Sequence, residues 1–319
     1  MLVDIITVVA SFVVLIYGAR FFVDGAASMA RRMGISAFVV GLTIVAIGTS
    51  APELFVNIIA AIQSASDLSI GNILGSNLVN IFLGLGIAAI ITPLSLKRGT
   101  VWKEIPFSLL AIVVVLIFGS DMLLDGALTN NIGRAEGLAL ISFFIIFIVY
   151  TFGLNKMTDE RPEEKIIIYS KTRSFLYILG GIVALAIGGH FAVVGGIGIA
   201  LTLGVSENLI GLTIVAIGTS LPEIVTAVIA ARKRHIDMIV GGMVGSNIFN
   251  VFLILGVTAT ILPLPFASAS ITDAIAVMVA TLALFIFMFI GRRHTLDRTQ
   301  GILFVLAYFA YIIFAIWRG

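Results

Sequence analysis

The sequence predicts an all-α membrane protein of ten transmembrane helices, arranged as two inverted five-helix repeats. Three observations carry this reading. The first is composition: of 319 residues 60% are apolar and only 11% are charged, against about 45–50% and about 25% in a soluble domain. The second is the sorting of basic residues between alternate connections. The third is an internal duplication at a fixed offset. Composition alone excludes a soluble enzyme, and the 32 glycines suit close helix packing in lipid. No basic patch is interleaved with aromatics on a soluble fold, so nucleic-acid binding has no support. With no cysteine, disulfide scaffolds, thiolate metal sites and cysteine nucleophiles are excluded.

A span needs about 20 mostly apolar residues, and charged or polar clusters divide the chain into ten. The first, about 4–30, opens without a basic stretch or a small-residue cleavage site and so reads as a span, not a signal peptide; Arg31 and Arg32 end it. The second, 36–62, is interrupted by Pro52, and the third, 68–92, carries Gly71 and Gly75 as a small-xxx-small pair. The fourth (104–124) starts beyond Lys103 and stops at Asp125, and the fifth (134–154) starts at Arg134 and runs apolar to the charged stretch beyond Asn155. The sixth (172–202) is long like the first, and both exceed what a bilayer requires, as steeply tilted helices do. The seventh (206–231) is interrupted by Pro222 and closed by Arg232, Lys233 and Arg234. The eighth (238–262), ninth (270–291) and tenth (298–317) are separated by Pro-containing and Arg-rich connections.

The basic residues test this count, because cytoplasmic loops carry the excess of Lys and Arg. Sixteen of the 19 fall in alternate connections, from Arg31 and Arg32 through Lys97, the 155–171 stretch and Lys233 to Arg298; only Arg134 and Arg318 lie on the other side, and Arg20 lies within the first span. Both termini are therefore expected outside the cell and the 155–171 connection in the cytoplasm. Seven acids on the outer rim, Asp4, Asp67, Asp121, Asp125, Glu136, Glu207 and Asp273, would concentrate cations there, although any solvated loop is polar.

Gly41 to Ser50 recurs unchanged as Gly211 to Ser220, and 12 of 13 positions match through Glu53 and Glu223. A second block, Gly71 to Asn80, pairs at the same offset of 170 with Gly241 to Asn250. Residues 1–154 thus form a first repeat, 155–171 a linker and 172–319 a second repeat. Five spans per half invert the second half in the membrane. Inverted repeats with helices interrupted at matching places mark secondary transporters whose sites lie near the midplane. Pro52 and Pro222 are those interruptions: each removes an N–H and frees a main-chain oxygen.

On a helix Ala46, Thr49, Ser50 and Glu53 share one face, as do Asn72, Ser76 and Asn80, and the second half repeats this with Ala216, Thr219, Ser220, Glu223, Ser246 and Asn250. The Ser-Asn pairs at 76–77 and 246–247 could instead serve as hydrogen-bond donors and acceptors between helices. Glu53 and Glu223 read as the acids lying deep in a span, where an ionisable group is costly. Two close carboxylates need a compensating cation or a proton. The donors are carboxylate, hydroxyl, amide and carbonyl oxygens, which suit Ca²⁺ with its six to eight flexible ligands better than Zn²⁺ or Mg²⁺. Several Na⁺ ions could use the same oxygens, and competition for one pair of carboxylates is the simplest route to antiport. Arg20 and Asp24, at i and i+4, are expected to neutralise each other; unduplicated His190 reads as a packing or interfacial residue.

The Gly-Thr-Ser-x-Pro-Glu words at 48–53 and 218–223, with the Gly-Ser-Asn words at 75–77 and 245–247, resemble the paired alpha-repeats of the sodium/calcium exchanger family. The resemblance implies a central Ca²⁺ site from the carboxylates of Glu53 and Glu223 and main-chain oxygens of Thr49 and Thr219. It further implies flanking Na⁺ sites using Ala46, Thr49 and Ser76 on one side and Ala216, Thr219 and Ser246 on the other. Asn80 and Asn250 would lie at the middle, with Ser50 and Ser220 as supporting ligands. It implies electrogenic exchange of Na⁺ for Ca²⁺ by alternating access across the cell membrane, with the first and sixth spans sliding past the remaining bundle. Proton/calcium antiport is the alternative. Neutral Asn at both 80 and 250 favours a potassium-independent exchanger, since some relatives carry Asp at the second position. Gly242 stands where the first repeat has Asn72, so the two halves are not equivalent there. The linker is too short for a calcium-sensing domain; no cofactor, catalytic residue, nucleic acid or obligate protein partner is expected beyond the two ions and the lipid.

Overall fold

The computed structural model describes residues 1–62, 66–154, 167–204 and 216–318. Of the sequence-based expectations, the repeated residues 211–215, Glu207, most of the linker (155–166) and the first part of the seventh span lie outside the described residues. Among those described, eight helices are long and apolar enough to cross a bilayer. A ninth arises if two pieces bent by 45° at Ser50 are taken as one span.

In chain order the helices are α1 (Leu2–Met33), α2 (Ala37–Thr49), α3 (Ala51–Ile62), α4 (Ser69–Ile91), α5 (Thr100–Phe118), α6 (Arg134–Leu154), α7 (Lys171–Thr202), α8 (Ala216–Thr219), α9 (Leu221–Arg232), α10 (Ile236–Ile261), α11 (Ser268–Phe287) and α12 (Arg298–Arg318). The α5 helix starts earlier than the charge pattern predicts, because a π-helical turn over Thr100–Glu104 takes in Lys103 and Glu104. Gly119 then caps it, ahead of the expected end.

α1 and α7 have 32 residues each, roughly 48 Å of helix at 1.5 Å per residue, well over a bilayer core of about 30 Å. They pack along their length on glycines. A β carbon at Gly18 would sit 2.8 Å from that of Ala184, one at Gly181 2.7 Å from that of Phe22, and one at Gly188 2.8 Å from Leu15 Cγ. Rising numbers on one helix meet falling numbers on the other, so the pair is antiparallel. At one end of this pair Ser28 and Ser174 share a 2.8 Å hydrogen bond, and Arg32 donates to the Tyr169 carbonyl. The expected Arg20–Asp24 pair is not formed. Asp24 instead binds Lys233 Nζ at 2.5 Å, tying α1 to the end of α9, while Arg20, exposed on the outer surface of α1, lies over the Tyr17 ring.

α4 and α10 form the centre: 83% and 94% of their apolar windows are buried, against 22–39% in the other long helices. Around them the lipid-facing helices leave large apolar side chains such as Phe55, Val149 and Ile313 exposed, as a membrane protein does. Two short antiparallel pairings cross between the halves. Leu94–Ser95 pairs with Thr295–Leu296, and Asn131–Ile132 with Leu264–Pro265; the strands at 94 and 264 stand at the repeat offset of 170.

Candidate ion-binding site

Both interrupted segments break in the same way. Ser50 (φ −87°, ψ 6°) and Ser220 (φ −91°, ψ 5°) leave helical geometry at equivalent positions, and a new helix starts with proline in its first turn. There the missing N–H costs nothing, and the acidic residue that follows, Glu53 or Glu223, also stands in the first turn. The helix N-terminus, with its partial positive charge, favours a carboxylate at that place. The sequence therefore fixes both glutamates at helix starts inside the bundle.

Glu53 and Glu223 are both buried, with 1% and 2% exposure, and the two carboxylates interact electrostatically. Neither is in an ion pair with Lys or Arg among the described residues. Ser50 Oγ donates to Glu223 Oε1 at 3.0 Å, a polar link between the two repeats. Both oxygens of Glu53 and Oε2 of Glu223 have no hydrogen-bond partner. A buried carboxylate oxygen without a donor is unstable unless something positive compensates it.

Facing them are α4 and α10, each distorted to a π-helix where its asparagine stands: Val79–Leu85 around Asn80, and Asn250–Leu255 starting at Asn250. Such bulges recur at functional sites. Four amides are cross-linked between the two helices. Asn80 Nδ2 donates to Asn247 Oδ1 at 3.0 Å, Asn250 Nδ2 donates to Asn77 Oδ1 at 3.0 Å, and Asn77 Nδ2 reaches the Asn247 carbonyl at 3.4 Å. Because the nitrogens of Asn80 and Asn250 are held this way, their Oδ1 atoms are left buried and without partners. Ser246 Oγ is likewise unpartnered. Six of the buried oxygens without partners thus belong to expected site residues, Glu53, Glu223, Asn80, Asn250 and Ser246. That donor set, two carboxylates plus neutral oxygens, matches a hard cation. No group of three or more acids or histidines occurs among the described residues, which keeps the site at two formal charges.

The remaining expected residues fall unevenly. Ala46 is buried on α2, and Thr49 Oγ1 donates to the Val45 carbonyl at 3.0 Å. Ser220 Oγ pairs with Ser76 Oγ at 3.0 Å, so this serine bonds across to α4 where its repeat partner Ser50 bonds to a carboxylate. Thr219 Oγ1 donates to Asn72 Oδ1 at 3.0 Å; opposite Thr49, Gly242 supplies no such group. Ala216 begins α8. The Ser-Asn words thus divide their work: their asparagines join the helices, and their serines lie toward the interrupted segments.

Sequence reasoning missed one buried acid. Glu104, at the start of α5, is 1% exposed; its Oε1 accepts from Tyr150 Oη at 2.7 Å and its Oε2 has no partner. Its position beside Lys103, at the edge of an apolar run, reads as an interfacial charge. Only the π-helical turn, which sequence does not announce, turns it inward.

Comparison with known proteins places this arrangement. The family described as "Sodium/calcium exchanger protein" matches residues 3–153 and 173–317. The chain is 30% identical to the sodium/calcium exchanger MaX1 of Methanosarcina acetivorans, over 98% of each chain. It is 32% identical to the inner membrane protein YrbG of Escherichia coli, over 80% of this chain and 79% of that one. The solved structure of the sodium-calcium exchanger NCX_Mj soaked with 10 mM Na⁺ and 10 mM Sr²⁺ superposes with a TM-score of 0.84 at 30% identity, over 98% of each chain.

Proposed function

The chain belongs to the sodium/calcium exchanger protein family, and from that premise we propose that it is an electrogenic, potassium-independent antiporter that exchanges Na⁺ for Ca²⁺ at one central site. The observation that carries the proposal is the set of buried oxygens without donors on Glu53, Glu223, Asn80, Asn250 and Ser246. Ca²⁺ would be held by the two carboxylates with main-chain oxygens of Thr49 and Thr219. Na⁺ would occupy flanking positions, near Ala46, Thr49 and Ser76 and near Ala216, Thr219 and Ser246, with Ser50 and Ser220 in support. Two carboxylates carry two charges, which one Ca²⁺ cancels at once and Na⁺ ions cancel only together. That shared requirement makes the two substrates exclude each other, and exclusion is what couples their opposite fluxes. Neutral Asn80 and Asn250 add oxygens without adding charge, which is why K⁺ is not required.

We read the architecture as ten spans in two inverted repeats, 1–154 and 172–319, joined by 155–171. The family match in two stretches, the antiparallel α1–α7 pair, the matching breaks at Ser50 and Ser220 and the cross-paired strands support this reading. With both termini outside, the Arg-rich loops and the linker face the cytoplasm of a cell membrane.

Liposomes holding the purified protein and loaded with Na⁺ should take up external Ca²⁺. Uptake should require internal Na⁺, ignore K⁺ and carry net charge. If a pH gradient drives uptake without Na⁺, the protein is a proton/calcium antiporter and the Na⁺ assignments fall.

A further inference from the structure

A narrow crevice, with room inside for about one water molecule, opens beside the site. Its walls include Thr49, Glu223, Thr226, Ala230, Met238 and Gly242. Glu223 and Ala230 are seven residues apart on α9, about 10 Å along a helix. The crevice therefore runs from the carboxylate toward the Lys233–His235 turn, the side on which basic residues collect. Gly242 has no side chain, and a β carbon there would come within 3.1 Å of Val45 Cγ1. Its repeat partner Asn72 carries an amide whose oxygen accepts from Thr219.

Apart from Glu223 and Thr49, the walls are apolar but for one group. Thr226 is 3% exposed, and its Oγ1 has no hydrogen-bond partner. A buried hydroxyl without a partner is costly. In the first repeat the corresponding residue is Val56, so the hydroxyl is no legacy of the duplication. The crevice has room for only about one water molecule, so a cation entering it must shed most of its hydration shell and needs replacement oxygens there.

Building on the antiport reading, we propose that Thr226 Oγ1 and the Glu223 carboxylate form a cation subsite in this crevice, where a partly dehydrated Na⁺ or Ca²⁺ pauses between the central site and the Lys233–His235 side.

The experiment compares wild type, Thr226→Val and Thr226→Ser in sealed vesicles of both orientations, measuring Na⁺-dependent Ca²⁺ flux from each side. Valine keeps the shape and removes the oxygen. Thr226→Val should raise the Ca²⁺ KM about fivefold to tenfold when Ca²⁺ is offered from the Lys233–His235 side, with a much smaller change from the other, and Thr226→Ser should restore the wild-type value. Equal shifts from both sides, no shift, or failure of serine to rescue would overturn the subsite. Wild-type vesicles without Na⁺-dependent flux would remove the antiport reading and the subsite with it, whereas normal wild-type flux with an unshifted valine variant removes the subsite alone.

Discussion

Replacing Glu53 by Gln changes one charge in a buried site and almost no volume, so its effect can be worked out from the charge count. Both oxygens of Glu53 are buried without hydrogen-bond partners, and the carboxylate shares its site with one other acid, Glu223. Two unit charges about 4 Å apart at an effective dielectric constant of about 20 interact by about 4 kcal/mol. A divalent cation therefore loses about 8 kcal/mol of attraction when one carboxylate is neutralised, and a monovalent cation about 4. If relaxation and the neighbouring amide oxygens recover half, about 4 kcal/mol remains for Ca²⁺, or about three powers of ten in Kd, against about half that free energy for each Na⁺. Calorimetric titration of the purified protein with Ca²⁺ and with Na⁺ measures both losses. Thermal unfolding provides a second readout, since a ligand at 100 times its Kd stabilises the native state by about 2.7 kcal/mol. The Ca²⁺-induced rise in Tm seen for wild type should vanish in the variant. Without ions the variant should be at least as stable as wild type, because an uncompensated buried charge has been removed. Ca²⁺ affinity within tenfold of wild type, or equal losses for Ca²⁺ and Na⁺, would refute the assignment of Glu53 to a shared cation site.

Asn247→Leu removes the acceptor that holds Asn80 Nδ2 at 3.0 Å and frees the Asn80 amide to turn, so Ca²⁺ affinity should fall about tenfold, in line with a lost hydrogen bond of about 1 kcal/mol plus misorientation; unchanged binding by titration would mean that the amide network does not orient the site. Gly181→Val puts a β carbon 2.7 Å from Phe22 Cβ, and overpacking of this kind costs about 1–3 kcal/mol; Tm in detergent should drop and transport should be lost, while an unchanged Tm would show that α1 and α7 are not held at this distance.

The helical type of the elements and the places of their breaks were legible because the forces that set them are local. Apolar length, basic residues at helix ends and proline breaks are each written in a few consecutive residues, and Pro52 and Pro222 put the breaks where Ser50 and Ser220 leave helical geometry. The duplication placed Glu53 and Glu223 together before any contact was known. Partnering was not legible, because it depends on which helices come face to face. Asp24 could be paired by spacing with Arg20, yet it binds Lys233, 209 residues away. Glu104 is turned inward by a π-helical turn that no local residue pattern announces.

The same contrast explains why a duplicated sequence does not give a symmetric site. The 12 matching positions around each glutamate make the two halves look interchangeable, and their backbones do break alike. Symmetry fails at Asn72 against Gly242 and Val56 against Thr226, and in the partners of Ser50 and Ser220. An antiporter opens its site to one side at a time, and two equivalent halves would present equivalent routes to both sides. An amide that binds Thr219 in one repeat, against a glycine and an unpartnered hydroxyl lining the crevice in the other, gives the two halves different polar surroundings while both keep their glutamate. The exchanges Asn72/Gly242 and Val56/Thr226 involve neutral groups only, so they can tune access and leave the charge balance of the site intact.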